Sequence, residues 1–437
     1  MNIDLPIRIL EPELREKRIL TAKKLYQLGQ KAVPSSKILN IKEVTQELRR
    51  IREYSRSNIN KLTAELQTTL KQKYPNVKVT ATADNIGAVN YITGISDGIK
   101  TVSTNNSSVI VQEIKPGLSN NGFTIVNSYL DEFDVKKKEI LDYWSLPRML
   151  DKDLMGTFEV THKMPGIGFS GADETRKYLA VLGANAISAE DGTVFFLEHF
   201  SNIYKDLNQA KKVILVIGLD KIVKNSRDAD FQSKCMGIFG MESILLGIQP
   251  KSETTPSIAD IELPLDGKER EIHVIVLDNG RSSLSGSKFE DLFLCIGCRA
   301  CNKHCPIQHS FTNMDYIWTP RNYLSQFLNG KSHSIDTCLH CEACRLECPL
   351  DIDLPHLMWE AKIDYSVKHG RSFYHKIIGE PELLAKAGTA FAPLANSMMR
   401  TKLIRFPMET ITGIDRKTTL PVFHFETFRN WMKKNAR

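Results

Sequence analysis

A chain of 437 residues with 42% apolar and 25% charged residues has the balance of a soluble globular protein and is long enough for two or more domains. No stretch approaches the roughly twenty apolar residues that a membrane span needs; the longest candidates, Val213 to Leu219 and His273 to Leu277, are strand-sized. The formal charge of +7 is spread along the chain without an aromatic-interleaved basic stripe, so no nucleic-acid partner is expected, although a modest basic face for an acidic redox partner remains open.

The opening M-N-I-D-L-P-I-R-I-L-E-P lacks a charged segment followed by a long apolar one, and a cytoplasmic location is expected. Residues 1–76 are read as a helical region. Ile41, Val44, Leu48 and Ile51, then Ile59, Leu62, Leu66 and Leu70, recur at three- and four-residue steps, which gives charged helices an apolar packing stripe that Pro75 ends. From Val77 short apolar strands alternate with helical stretches, predicting an α/β domain with a largely parallel sheet over residues 77–285. Strands are expected at Val77 to Val79, Lys100 to Val102, Thr124 to Val126, Thr193 to Leu197, Val213 to Ile217 and His273 to Leu277. Asp84 is placed to cap a helix that Gly98 closes.

Two stretches of this domain carry candidate chemistry. Gly183 to Thr193 reads G-A-N-A-I-S-A-E-D-G-T and runs into the apolar V-F-F-L, placing polar groups on a loop before a buried strand. Asn185 lies in it; Glu190 suits a base, nucleophile or ligand, and Gly192 and Thr193 offer a backbone N–H and a hydroxyl to an anion. A turn with a solvated acid accounts for the same letters. In L-D-N-G-R, Asn279 and Gly280 form a turn step, and Arg281 has a planar fork suited to a carboxylate or phosphate; a simple turn fits equally. No G-x-G-x-x-G, P-loop or G-x-S-x-G occurs, and the glycines Gly166, Gly168 and Gly171 lack the preceding strand that a phosphate cradle requires.

Cys295 to Pro306 reads C-I-G-C-R-A-C-N-K-H-C-P and Cys338 to Pro349 reads C-L-H-C-E-A-C-R-L-E-C-P. Both follow C-x2-C-x2-C-x3-C-P, the run that presents thiolates to a cubane cluster, and together they hold eight of the nine cysteines. Two 4Fe–4S clusters are expected. In two-cluster proteins the distal cysteine of each run ligates the other cluster, which pairs Cys348 with Cys295, Cys298 and Cys301, and Cys305 with Cys338, Cys341 and Cys344. Zinc has no use for a third cysteine followed by a fixed fourth and a proline, and disulfides would need an oxidising compartment. His304 and His340 are not needed as ligands, and Cys235 is read as a buried thiol. Each oxidised cluster with its thiolates carries about −2, lowering the charge to about +3.

Between the runs, Met314, Ile317, Tyr323, Phe327 and Leu328 form a helical-looking set interrupted by Pro320, and beyond them Pro355, Met358, Trp359 and Ile363 suggest a helix that covers a cluster. Residues 286–370 are therefore expected to be a helical cluster-binding domain. Residues 371–437 look less regular, a tail with Arg400, Lys402 and Arg405 and the aromatics Phe423, Phe425, Phe428 and Trp431 that packs on the body or a partner.

The chain resembles the lactate utilisation protein B family, in which an LUD domain is joined to a two-cluster ferredoxin-like region. The shared words are G-A-N-A-I-S-A-E-D-G-T, I-G-L-D-K-I-V at Ile217 to Val223, L-D-N-G-R-S at Leu277 to Ser282, both cysteine runs, G-I-D-R-K-T-T-L-P, and E-T-F-R-N-W at Glu426 to Trp431. The family usually has E-T-G-T or E-S-G-T where this chain has Glu190-Asp191-Gly192-Thr193, and the segment Glu198 to Asn202 also departs from the usual form. The resemblance implies an LUD domain of the sugar-isomerase and CoA-transferase type followed by an α-helical ferredoxin domain. It also implies membership of a cytoplasmic complex that oxidises L-lactate to pyruvate, alongside a cysteine-rich subunit like those of heterodisulfide reductase and a smaller LUD subunit. The alternatives are a heterodisulfide-type complex acting on thiols, and an LUD domain that is a docking scaffold and binds no small acid of its own.

Overall fold

Apolar runs separated by polar loops form twelve strands among the described residues of the computed structural model, which are 5–10, 38–127, 178–197, 203, 206–207, 210–240, 254–256, 271–307, 319–330, 338–370, 379–412 and 414–435. In chain order they are β1 (Ile7–Leu10), β2 (Ile38–Asn40), β3 (Lys78–Thr82), β4 (Thr101–Thr104), β5 (Thr124–Asn127), β6 (Leu179–Gly183), β7 (Ala186–Ser188), β8 (Val194–Leu197), β9 (Lys212–Gly218), β10 (Ile222–Val223), β11 (Thr254–Pro256) and β12 (Glu271–Leu277). Six of them make one sheet in the order β3-β12-β9-β6-β4-β5, and every pairing is parallel. The central β9 is buried at all seven positions, which is why K-V-I-L-V-I-G reads as an unbroken apolar run rather than an alternation.

Helices cover both faces of this sheet. Ile59, Leu62, Leu66 and Leu70 of the helix Ile59–Lys73 pack with Val213, Leu215 and Ile217; Ala88, Ile92, Ile114 and Leu118 pack with Ile214 and Val216 on the other side. Asp84 caps the helix Asn85–Gly94, its side chain accepting from Gly87 N at 2.7 Å, and that helix ends at Gly94, short of Gly98.

The parallel α/β sheet is the fold read from the sequence, with several corrections. The N-terminal region is not wholly helical: I-R-I-L forms β1 parallel to β8, in a second sheet ordered β1-β8-β7-β10, and I-L-N forms β2 antiparallel to β11. Strand β6, which lies between β9 and β4, was not expected, because L-A-V-L-G runs directly into the loop words that follow it. Pro320 does not interrupt a helix but begins one, Pro320–Leu328, where a missing N–H costs nothing and Thr319 caps Asn322 N at 3.3 Å. The last residues are more regular than expected, with helices at Pro381–Ala390, Ala392–Arg400, Lys402–Thr412 and Phe428–Asn435. Gly166, Gly168, Gly171, the Glu198 to Asn202 segment, Met314 and Ile317 lie outside the described residues.

The chain divides into two compact units, Met1–Met358 and Trp359–Arg437. The first holds the sheets and both cysteine runs. Within the second, buried Arg405 donates to the carbonyls of Asp415 at 2.8 Å, Arg416 at 3.1 Å and Thr418 at 2.7 Å, which fixes the loop of the G-I-D-R-K-T-T-L-P word. Among the described residues no helix is long and apolar enough to cross a membrane.

The N-terminal edge of the large sheet is a charge cluster. Fully buried His273 receives a hydrogen bond on Nδ1 from Tyr91 Oη at 2.8 Å when its Nε2–H donates to Glu271 Oε1 at 3.0 Å, and Lys78 and Lys212 also bond Glu271. Burial disfavours the imidazolium and lowers the His273 pKa, while the bond from Lys78 leads the effects that hold the Glu271 carboxyl at about 2. Below about pH 6.5 the unfolded chain takes up an imidazole proton that the folded protein resists, so stability falls on acidification; below about pH 4.5 the protonation of Glu271 adds a second loss. Urea unfolding should show lower stability at pH 5.5 than at 7.5, and His273→Gln should flatten that difference.

Candidate iron–sulfur centres and the cavity beside them

The two cysteine runs lie forty-three residues apart and fold alike. The second residue after the first cysteine has positive φ in both, Gly297 at 82° and His340 at 51°, and so does the fourth, Arg299 at 64° and Glu342 at 62°. Left-handed backbone at non-glycine residues costs on the order of 1 kcal/mol each, a cost tolerated where a chain must wrap tightly. The wrapping turns amides onto sulfur: Gly297 N donates to Cys295 Sγ at 3.3 Å and His340 N to Cys338 Sγ at 3.5 Å. A short helix follows each wrap, Ala300–Asn302 and Ala343–Glu347, and the last cysteine N–H closes it onto Asn302 O or Arg345 O.

The sulfurs fall into two sets. The groups that act electrostatically on Cys301 are Cys295, Cys298, Cys348 and, least, Cys344, and those that act on Cys344 are Cys338, Cys305 and Cys341. Cys348 of the second run thus acts on Cys301 of the first, and Cys305 of the first acts on Cys344 of the second. Burial pushes the Cys298 and Cys344 thiols up to about 12 and Cys348 to about 11, and it drives Cys301 well above the ordinary range. A bare thiolate is costly in such places, and a bound cation offsets that cost. Among the described residues no group of three or more His, Cys, Asp and Glu side chains gathers around a single metal-ion position; a cube instead spreads its ligands over four separate irons. Two sets of four sulfurs, on repeated loops with amides aimed at sulfur, fit 4Fe–4S clusters. Pro306, Pro320, Tyr323, Leu339, Pro355 and Met358 surround the second set with mostly apolar surface, and Cys341 is exposed.

Cations tie the first run to the sheet domain. Arg52, completely buried on the helix Ile41–Ser57, donates to Phe293 O at 2.6 Å, Leu294 O at 3.1 Å and Gln232 Oε1 at 3.0 Å. Lys221 bonds Ile296 O, Arg299 bonds Asn106 O, and Lys303 reaches Phe239 O at 2.9 Å. The same helix sends Arg49 to Leu350 O at 2.8 Å and Arg56 to Asp291 at 2.8 Å.

A cavity of about 120 Å³ is lined by Gly183 and Gly218 at the C-terminal ends of β6 and β9, by Asn105 to Val109, Glu113, Asp220, Lys221 and Arg281 from segments beyond β4, β9 and β12, and by Cys295, Cys298, Cys301 and Arg321. Ligands of parallel sheets bind at this edge. Gly183 and Gly218 end two adjacent strands there, and neither has room for a Cβ: one would stand 2.4 Å from Ser107 Oγ at Gly183 and 2.6 Å from Asp220 Oδ1 at Gly218. Glu113 lies in a π-helical turn, Ile110–Ile114, a deviation frequent at functional sites.

Asn185 and Arg281 both line this cavity, but both are committed to internal bonds. Arg281 forks onto Glu113 at 2.6 and 2.9 Å and bonds Asp220 at 2.5 Å, while Asn279, at φ 46°, donates to Glu113 at 2.7 Å. Burial opposes the Asp220 carboxylate, yet Arg281 and Lys221 hold its pKa well below the usual range. Asn185 accepts from Leu197 N at 2.8 Å and meets Met236 sulfur at 3.2 Å. Glu190, Gly192 and Thr193 are not among the cavity residues. They form a turn in which Glu190 is exposed, Gly192 takes φ 78° against Leu70 and Tyr74, and Thr193 N donates to Asp191 Oδ1 at 2.9 Å. Cys235 is buried, and burial raises its pKa.

Sequence reasoning passed over Glu113, Asp220, Lys221, Arg321 and the loop Asn105 to Ser108. The N-N-S-S word directly after a strand of a parallel sheet was the signal available for the loop. Arg52 was hidden within an apolar stripe.

The fold and the cysteine geometry define an α/β protein carrying a ferredoxin-like iron–sulfur region, and a family model described as a 4Fe-4S dicluster domain matches residues 291–352. Lactate utilization protein B of Bacillus cytotoxicus is 24% identical over 278 residues, 59% of this chain and 56% of its own length. Lactate utilization protein B 1 of Bacillus mycoides is 28% identical over 131 residues, 30% of this chain and 25% of its own length. Lactate utilization protein B of Bacillus thuringiensis is 30% identical over 129 residues, 30% of this chain and 26% of its own length. The chain is similar to lactate utilization protein B, as its motifs indicated, and it spans from about a quarter to just over half the length of these relatives. No solved structure matches.

Paired substitutions test the two sulfur sets. Cys301→Ser and Cys348→Ser should each remove the same half of the iron, and the double variant should lose no more than either. Cys301→Ser combined with Cys305→Ser should remove nearly all of it, as measured by iron content and visible absorption.

Proposed function

We propose that this protein is the iron–sulfur electron-transfer subunit of a cytoplasmic oxidoreductase complex that oxidises L-lactate, or a related small hydroxy acid, to pyruvate. The observation that carries this reading is the shared cavity: three cysteines of the first set, the ends of two strands and the loops after two more line one space, so an acid held there would lie beside an electron acceptor. When bound, each cluster takes and gives one electron at a time, and two together match the two electrons lost when a hydroxy acid becomes a keto acid. The chain's own groups would hold the clusters through Cys295, Cys298, Cys301 and Cys348, and through Cys338, Cys341, Cys344 and Cys305. The amides of Gly297 and His340 add hydrogen bonds to sulfur, and the apolar walls around the second set limit water.

In this reading the α/β unit is an LUD domain, and the partners are a cysteine-rich heterodisulfide-reductase-like subunit and a smaller LUD subunit, as the resemblance to the lactate utilisation family implies. A second reading, favoured by the saturated fork of Arg281 and by the closed turn around Glu190, makes the LUD domain a docking scaffold within a complex that acts on thiols. Anaerobic titration of the complex with its co-purified partners separates them. L-lactate should bleach the visible absorption of the clusters if the first reading holds. Bleaching by a dithiol, with L-lactate inert, would favour the second.

A further inference from the structure

Six charged side chains line the cavity: Glu113, Asp220, Lys221, Arg281, Arg299 and Arg321. Five of them are committed. Arg281 engages both carboxylates, Lys221 bonds Ile296 O beside Asp220, and Arg299 bonds Asn106 O. The sixth, Arg321, sits in the first turn of the helix Pro320–Leu328, and its buried Nε has no hydrogen-bond partner among the described residues. A buried guanidinium N–H without a partner is costly, and such a group in a cavity marks the place of an acceptor. Arg299 already bonds Asn106 O, and Arg321 alone among the lining cations has neither a carboxylate nor a carbonyl partner among the described residues, so a charged acceptor suits its planar fork.

We propose that Arg321 is the anion receptor of this cavity and holds the carboxylate of a small 2-hydroxy or 2-oxo acid over the strand ends, between the sheet and the first cysteine set. This rests on the reading of the cavity as the small-acid site of the relay, and it replaces Arg281 as the group that meets the acid. The glycines Gly183 and Gly218 let Ser107, Asp220 and Arg281 pack close over the strand ends, and Ser107 and Ser108 offer hydroxyls at the start of the helical segment beyond β4. Arg321 lines the same space as Asp220 and Lys221 and acts electrostatically on both. Arg321 comes from the segment between the cysteine runs, so the site is complete only when that segment is folded against the sheet.

Isothermal titration of the anaerobic holoprotein with L-lactate and with pyruvate tests the assignment, with iron content and the electron paramagnetic resonance of the reduced clusters followed in parallel. Saturable binding of either acid is expected, weakened at least tenfold in Arg321→Gln while iron content and cluster signals stay unchanged. If Arg321→Gln loses iron, Arg321→Lys decides the matter, because it keeps the charge but not the planar fork: weaker binding at full iron content supports the proposal, and unchanged binding overturns it. The proposal is also overturned if the iron-replete unsubstituted protein binds neither acid. It falls equally if Arg321→Gln shifts a cluster potential while binding is unchanged, since the guanidinium would then serve the cluster. An unsubstituted protein without iron would sink the relay reading itself, which the iron content reports before any acid is added.

Discussion

The buried guanidinium of Arg52 is the interaction on which the arrangement depends. Taking an isolated charge out of water costs several kcal/mol, and Arg52 offsets that cost with three hydrogen bonds, each from a charged donor and worth about 1.5 to 3 kcal/mol. Burial lowers its pKa only to about 10, so it stays charged at neutral pH. Two of its acceptors are carbonyls of Phe293 and Leu294, immediately ahead of Cys295, and the third is Gln232, which in turn donates to Asn185 O. One side chain therefore sets the cysteine loop relative to the helix Ser226–Phe239 and the cavity wall.

Around that anchor the first unit uses the two edges of its parallel sheet differently. At the N-terminal edge Lys78, Lys212, His273 and Glu271 satisfy one another and leave nothing for a ligand. At the C-terminal edge the strands end in glycines and polar loops, and carboxylates engage Arg281 while the Arg321 Nε has no partner among the described residues. The cysteine loop closes the open side of this edge, bringing a redox centre to the place where such sheets bind ligands. The second cysteine set, with Cys341 exposed, reaches the surface, whereas no cysteine of the first set is exposed.

Features with strong local signatures were legible in the sequence. The spacing of the cysteine runs, the unbroken apolar runs of β9 and β12 and the Asp84 cap each follow from a rule that acts over a few residues. Contacts between distant segments were not. Arg281 was a candidate because of its fork, but nothing nearby in the sequence showed that Glu113, 168 residues away, would fill it. Arg52 reads as a polar interruption in an apolar stripe, and its acceptors lie 180 to 242 residues away. Strand β1 was missed because its partner β8 lies on the far side of the whole N-terminal region. For the Glu190 stretch the turn was the favoured reading beside a functional one, and the bonds of Asp191 to Ser226 and Thr193 close that turn.

The central claim is that eight cysteines in two crossed sets hold two cubane clusters. Anaerobic purification followed by iron and acid-labile sulfide determination, with Mössbauer spectroscopy of the iron, tests it most directly. The account predicts about eight irons and eight sulfides per chain in a cubane signature. Zinc as the sole metal, with no broad visible absorption, would contradict it.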